Sequence, residues 1–172
     1  MQGRFTAAAT RTAVVLATVL GVALGTTGSA SAHVVTGGWS DNDQLCQVSS
    51  CVNTGNLVRL WQSMLWVENL YSDIDGQFGP NTANATVRWQ RLYNSREDPN
   101  IATDGWVGTQ TWRAAERSGL YHWYDQGSYE YYSYLGYGTP AHAFNMRKHI
   151  TTGVWSFEHP FTNVWLDTSH GS

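Results

Sequence analysis

A short motif that occurs twice, 29 residues apart, constrains this chain more than any other feature. Asp75-Gly76-Gln77-Phe78-Gly79-Pro80-Asn81-Thr82 aligns with Asp104-Gly105-Trp106-Val107-Gly108-Thr109-Gln110-Thr111, sharing the pattern Asp-Gly-x-apolar-Gly-x-x-Thr. Such self-similarity marks a repeated structural unit. Asp-Gly is turn chemistry: the carboxylate bonds the local backbone, and glycine takes a positive φ without steric penalty. Phe78 and Val107 then point into a core, while Gln77 and Trp106, one residue earlier, point away. Gly79 and Gly108 fall where a helix N-cap is expected, and Pro80 follows at N1, a position that tolerates its missing N–H. Each motif therefore reads as a tight turn feeding a helix.

Three helices are predicted around these turns. The first runs from about Gly55 to Leu70, capped by Asn53 or Thr54, with Val58, Trp61 and Leu65 on its apolar face. The second runs from about Pro80 to Tyr93, with Thr82, Ala85, Trp89 and Leu92 on one face. The third runs from about Thr109 to Arg117 and is ended by Gly119. The first helix carries a second apolar stripe, Leu60, Met64, Val67 and Tyr71. A three-helix core does not need it, so it is expected to dock another part of the chain, the C-terminal region. Trp66 lies on neither stripe and is expected to be exposed or covered by a partner.

In order, Val58-x-x-Trp61-Gln62-x-x-Leu65, Asp75-Gly76-Gln77-Phe78-Gly79-x-x-Thr82-x-x-Ala85-x-x-x-Trp89-Gln90 and Asp104-Gly105-Trp106-Val107-Gly108-x-x-Thr111-Trp112 closely resemble the type-1 peptidoglycan-binding-like domain. That family is a small three-helix module appended to exported bacterial cell-wall proteins. The resemblance covers about residues 52–119 and implies a three-helix fold and a peptidoglycan ligand. Trp61 and Trp89 stand where the family usually has Leu and Phe, and Asn69 stands near a usual Gly. The stretch from Tyr93 to Thr103 is several residues longer than usual.

Upstream, Arg4 and Arg11 precede the apolar run Ala13–Gly25, which is too short to span a bilayer comfortably, and Ala30-Ser31-Ala32 offers small residues for cleavage. Residues 1–32 thus read as a secretory signal peptide, which places the mature protein outside the cell, with no membrane association after cleavage. Cys46 and Cys51 are the only cysteines, and in an exported chain an even count reads as a disulfide. The formal charge is -3; without Arg4 and Arg11 there are 8 basic against 13 acidic side chains, or -5. With no basic stripe, phosphate-driven nucleic-acid binding is not expected.

After Gly119 the composition changes. Tyr121-His122-Trp123-Tyr124 and Tyr129-Glu130-Tyr131-Tyr132-Ser133-Tyr134 are followed by the strand-like runs Val154–Phe157 and Val164–Leu166. A hairpin or meander packed on the helices is predicted, with Tyr129 and Tyr131 on one face and Tyr132 and Tyr134 on the other. Both faces cannot easily be solvent-exposed: one should pack, and the other is free to bind. Aromatic rings suit either role, since they fill cores and also stack on the C–H faces of sugars.

These readings combine into a mainly α fold: a small three-helix bundle with two Asp-Gly turn motifs (Asp75, Gly76, Phe78, Gly79, Thr82; Asp104, Gly105, Val107, Gly108, Thr111). A small aromatic-rich β extension completes it. The expected divisions are a signal peptide to 32, a disulfide-bearing segment 33–51, the peptidoglycan-binding-like module 52–119 and the extension 120–172. The expected function is secreted, cell-wall-associated, non-catalytic binding of peptidoglycan, through its peptide stem or glycan, without cofactor or metal. Trp66, Tyr71, Arg88, Arg91 and Trp106 are the expected contacts, with Arg88 and Arg91 placed to hold a stem carboxylate. No H-E-x-x-H or G-x-S-x-G motif occurs. The competing readings are a hydrolase using Asp125 with Glu130, Glu158 with Asp167, or His142, His149 and His159, and a protein-binding module using the aromatic C-terminal face.

Overall fold

Both Asp-Gly turns fold as the repeat predicts, and by the same device. Gly76 and Gly105 take φ of 76° and 77°. Asp75 Oδ1 accepts the N–H of Gln77 at 2.8 Å, and Asp104 Oδ1 accepts the N–H of Trp106 at 2.9 Å. Phe78 and Val107 are buried, while Gln77 and Trp106 are exposed. Gly79 and Gly108 are the N-caps of the helices that follow, with Pro80 opening the first of these.

The computed structural model describes residues 36–97, 100–137 and 142–168, so the expected signal peptide lies outside the described residues. A 3-10 turn at Trp39–Asp41 precedes helices α1 (Asn56–Val67), α2 (Pro80–Asn94) and α3 (Thr109–Gly119). Strands β1 (Leu120–Gln126), β2 (Tyr129–Tyr134), β3 (Phe144–His149), β4 (Trp155–Glu158) and β5 (Trp165–Asp167) follow. The strands form one antiparallel sheet in chain order, β1-β2-β3-β4-β5. Strand occupies 24% and helix 32%, which corrects the expectation of a mainly α three-helix bundle. The sheet is a second layer of the fold, made by the aromatic segment that had been expected to form only a small extension.

Two helix ends also differ from expectation. The N-cap of α1 is Gly55 with φ 99°, not Asn53 or Thr54, and no side chain caps it. Its N–H instead donates to the carbonyl of Gly76 at 2.9 Å, tying the helix start to the first turn. At the other end Asn69 takes φ 55°, and the Leu70 N–H donates back to the Leu65 carbonyl. This left-handed residue stops α1 at Val67, short of Leu70. Gly119 does not stop α3 by a positive φ. The helix ends because Leu120 is extended and begins the first strand, and glycine stands at 119 because a Cβ there would lie 2.4 Å from the Tyr134 ring.

The buried residues of helices and sheet form one cluster. Trp61 is its hub on the helical side, edge-on to Trp89 at 5.2 Å and to Trp112 at 5.5 Å, with its indole N–H donating to Thr86 Oγ1. Trp39 is the hub at the junction. It meets Trp112 and Trp155 edge-on and stacks on Tyr134. Its backbone N–H donates to Glu116 on α3, and the Trp155 indole donates to the Gly37 carbonyl. The segment before the helices is therefore part of the core. Leu60, Met64 and Val67 of the second stripe are buried in this cluster with Tyr134, Phe144, Met146 and Phe157 of the sheet, whereas Tyr71, its fourth expected member, lies beyond the end of α1 and is only half-buried. Cys46 and Cys51 form a disulfide beside Leu45, which pairs with Val107 of the second turn.

Candidate functional site

α1 ends in Trp66 and turns at Asn69, and this geometry builds a groove. Trp66 is half-buried, its ring stacked on His142 at 4.1 Å and edge-on to Phe161 at 5.6 Å. The expected partner over Trp66 is thus the chain's own C-terminal region. Trp66, Asn69, Leu70, Tyr71, Ser72 and His142 line an open hollow of about 270 Å³. A second hollow of about 430 Å³ shares Leu70, Tyr71 and Ser72, and adds Asp73, Asn81, Asn84 and Arg88. The two share a rim, with rings at one end and amides, the Asp73 carboxylate and the Arg88 guanidinium at the other. Arg88 also donates to the Leu70 carbonyl, which fixes its position at the rim.

The structure thus brings together three of the five expected contact residues, Trp66, Tyr71 and Arg88. Arg91 lines neither hollow and is exposed on α2. Trp106 is 43% exposed beside a separate hollow formed with Gln44, Ala102 and Gln110. The lengthened stretch after Tyr93 is pinned by Asn94, which exchanges two hydrogen bonds with the Ile101 backbone; its Asp98 and Pro99 lie outside the described residues. Arg96 from the same stretch donates to the Tyr137 carbonyl.

A second surface was only partly legible. Register places Tyr129, Tyr131 and Ser133 of β2 on the sheet face turned away from the helices, with Asn145, Arg147 and His149 of β3 beside them. Ser156 and Glu158 of β4 and Trp165 and Asp167 of β5 continue the same face. On β1 the register shifts between His122 and Tyr124, so Trp123 is an extra residue and joins Tyr124 on this face. The Tyr129–Tyr134 run divides as expected: Tyr134 is buried and Tyr132 packs on Trp155, while Tyr129 and Tyr131 face outward. Burial pushes the phenols of Tyr132, Tyr134 and Tyr137 above their ordinary range, so these rings stay neutral. Sequence reasoning missed Trp123, Asn145, Arg147 and Trp165 as neighbours, because only the register of the sheet brings residues of β1, β3 and β5 onto one face.

The four carboxylates named for a hydrolase, and His149 and His159 with them, are each hydrogen-bonded, while His142 is the ring stacked on Trp66. Asp125 bonds His122 at 2.8 Å, and Glu130 accepts the Tyr132 hydroxyl. Glu158 accepts from Asn145, and Asp167 accepts from Ser156. His149 and His159 use Nδ1 to accept turn N–H groups of Thr152 and Phe161. Among the described residues no three His, Cys, Asp or Glu side chains group to hold a metal ion, and no helix is long and apolar enough to cross a membrane. Comparison with known proteins finds no match for this chain among family models, curated proteins or solved structures.

Proposed function

We propose that this protein binds peptidoglycan without cleaving it, and acts outside the cell at the wall. The observation that carries this reading is the joined groove of Trp66, Tyr71 and Arg88. Its rings offer flat apolar surface to sugar or aliphatic faces, its Asn81 and Asn84 amides suit peptide groups, and Arg88 supplies a cation for a stem carboxylate. The groove sits on the part of the chain whose motifs resemble the peptidoglycan-binding-like domain, and the resemblance supports the same ligand. The signal-peptide reading of residues 1–32 supports the extracellular location.

The test is one tube of purified protein with insoluble peptidoglycan sacculi, followed for protein lost to the pellet and for soluble fragments released. Pelleting without release is expected, weakened about tenfold by Trp66→Ala and by Arg88→Ala, the cost of one good contact each. Arg91→Ala and Trp106→Ala should pellet like the parent. Fragment release would replace this reading with a hydrolase. Pelleting unchanged by both groove variants would move the binding elsewhere.

A further inference from the structure

The outward sheet face has a construction that core packing does not require. Its floor is polar: Ser133 donates to Asn145 Oδ1 at 3.3 Å, and Asn145 Nδ2 donates to Glu158 Oε2 at 2.8 Å. These bonds fix the orientation of the amide and the carboxylate across three strands. Aromatic walls rise on both sides. Trp123, Tyr124 and Tyr131 stand on one side and Trp165 on the other, around an open groove of about 270 Å³. Tyr124 and Tyr131 are stacked at 5.0 Å with 14° between their planes, so each ring fixes the other's orientation. Tyr131 meets Trp165 edge-on at 6.3 Å. The Arg147 guanidinium lies 4.4 Å from the Tyr129 ring and 4.3 Å from the Trp165 ring, which holds Trp165 in place. Ser133 and Ser156 are buried among the side chains of this face, while Trp123 and Tyr124 at its edge are 61% and 49% exposed.

The chemistry selects among occupants. A nucleic acid or another polyanion would meet Glu158 and Asp167 with one cation, Arg147, on the same face. A protein partner favours an apolar interface core, whereas the floor of this groove is the Ser133 hydroxyl and the Asn145 amide, the amide held by Glu158 from outside the groove. A neutral polyhydroxyl chain fits both parts: its C–H faces stack on the rings, and its hydroxyls or acetamido groups bond Ser133 and Asn145. From this face we infer that the protein carries a second site, for a neutral glycan strand, in the groove between Trp123, Tyr131 and Trp165. The site shares no residue with the Trp66 groove, and it stands on its own geometry rather than on the peptidoglycan reading.

The probes are chitohexaose and cellohexaose, titrated into the purified chain with calorimetry and tryptophan fluorescence as readouts. Saturable binding of at least one is expected. Trp123→Ala should weaken it about tenfold, the worth of one ring contact, and Asn145→Ala by a similar factor. Trp66→Ala should leave it unchanged. Trp123 is exposed, so its replacement keeps the fold, and circular dichroism checks this. Binding that survives both sheet variants but falls with Trp66→Ala would overturn the inference. So would the absence of oligosaccharide binding, even with pelleting on sacculi intact, in which case the groove at Trp66 alone would account for wall binding. Concentration-dependent self-association abolished by Trp123→Ala, without glycan binding, would make the face an interface between copies and also overturn it.

Discussion

Gln62 and Gln90 are the residues on which the repeat depends. Gln62 Nε2 donates to Asp75 Oδ1 and the Gln77 carbonyl, and Gln62 Oε1 accepts the Gly76 N–H. Gln90 does the same for Asp104, Trp106 and Gly105. Both glutamines are fully buried, so each Asp-Gly turn is held from beneath by an amide that satisfies groups water cannot reach. Replacing either by Leu leaves the buried N–H of Gly76 or Gly105 without its acceptor, while the Gln77 and Trp106 carbonyls keep the Thr82 and Thr111 hydroxyls. Gln62→Leu and Gln90→Leu should each destabilise the fold by about 2–3 kcal/mol in urea unfolding. Glu68 offers a second test. Desolvation raises its pKa, against the lowering effects of the Tyr137 N–H it accepts at 2.7 Å and of Arg96. A folded-state pKa above the unfolded one favours the neutral acid in the fold. This contribution is full at acidic pH and is lost as pH rises through the folded value. Glu68→Gln keeps the acceptor and removes the titration, so its stability should fall less than the parent's as pH is raised from the acid range to neutrality.

At the scale of elements, the junction of α3 and β1 is the tightest coupling between layers. Leu120 follows Gly119 directly, and the Leu135 N–H donates to the Gly119 carbonyl, so helix and sheet meet without a linker. Tyr134 fills the space a side chain at 119 would need. Gly119→Ala should therefore cost about 1–3 kcal/mol through overpacking, although alanine favours helix, and the thermal midpoint reports it. The three helices were legible because the turn motifs mark two starts and the apolar spacing marks the faces. The stripe Leu60, Met64 and Val67 signalled a docking partner, and the sheet is in that core. The length of the sheet was less legible. β3 reads Phe144-Asn-Met-Arg-Lys-His149, whose polar positions look like loop until the register sets them on the outward face.

At the scale of the whole molecule, the core is shared. Trp39 from the N-terminal segment, Trp112 from α3, and Tyr134 and Trp155 from the sheet meet in one aromatic cluster. The stretch 36–119 alone would expose Trp39, Leu60 and Met64, which are fully buried in the intact chain. A chain ending at Gly119 should lose cooperative unfolding and bind a hydrophobic dye, while the full chain unfolds in one transition. A cooperative, dye-silent fragment would show that the helices suffice as a core.

The chain's own letters determined its local events: where the two turns fall, which helices they start, which residues of the Tyr129–Tyr134 run share a face, and which cysteines can pair. These depend on φ preferences, short-range hydrogen bonds and periodicity, all properties of neighbours in sequence. Tertiary structure decided what those elements became together. It made the C-terminal segment a five-stranded layer, joined Trp66 and Tyr71 to Arg88 but not to Arg91 or Trp106, and assembled Trp123, Tyr131, Asn145 and Trp165 into one groove. Register and the packing of distant side chains govern those outcomes, and a shift of one residue in any strand would have turned its rings to the other face.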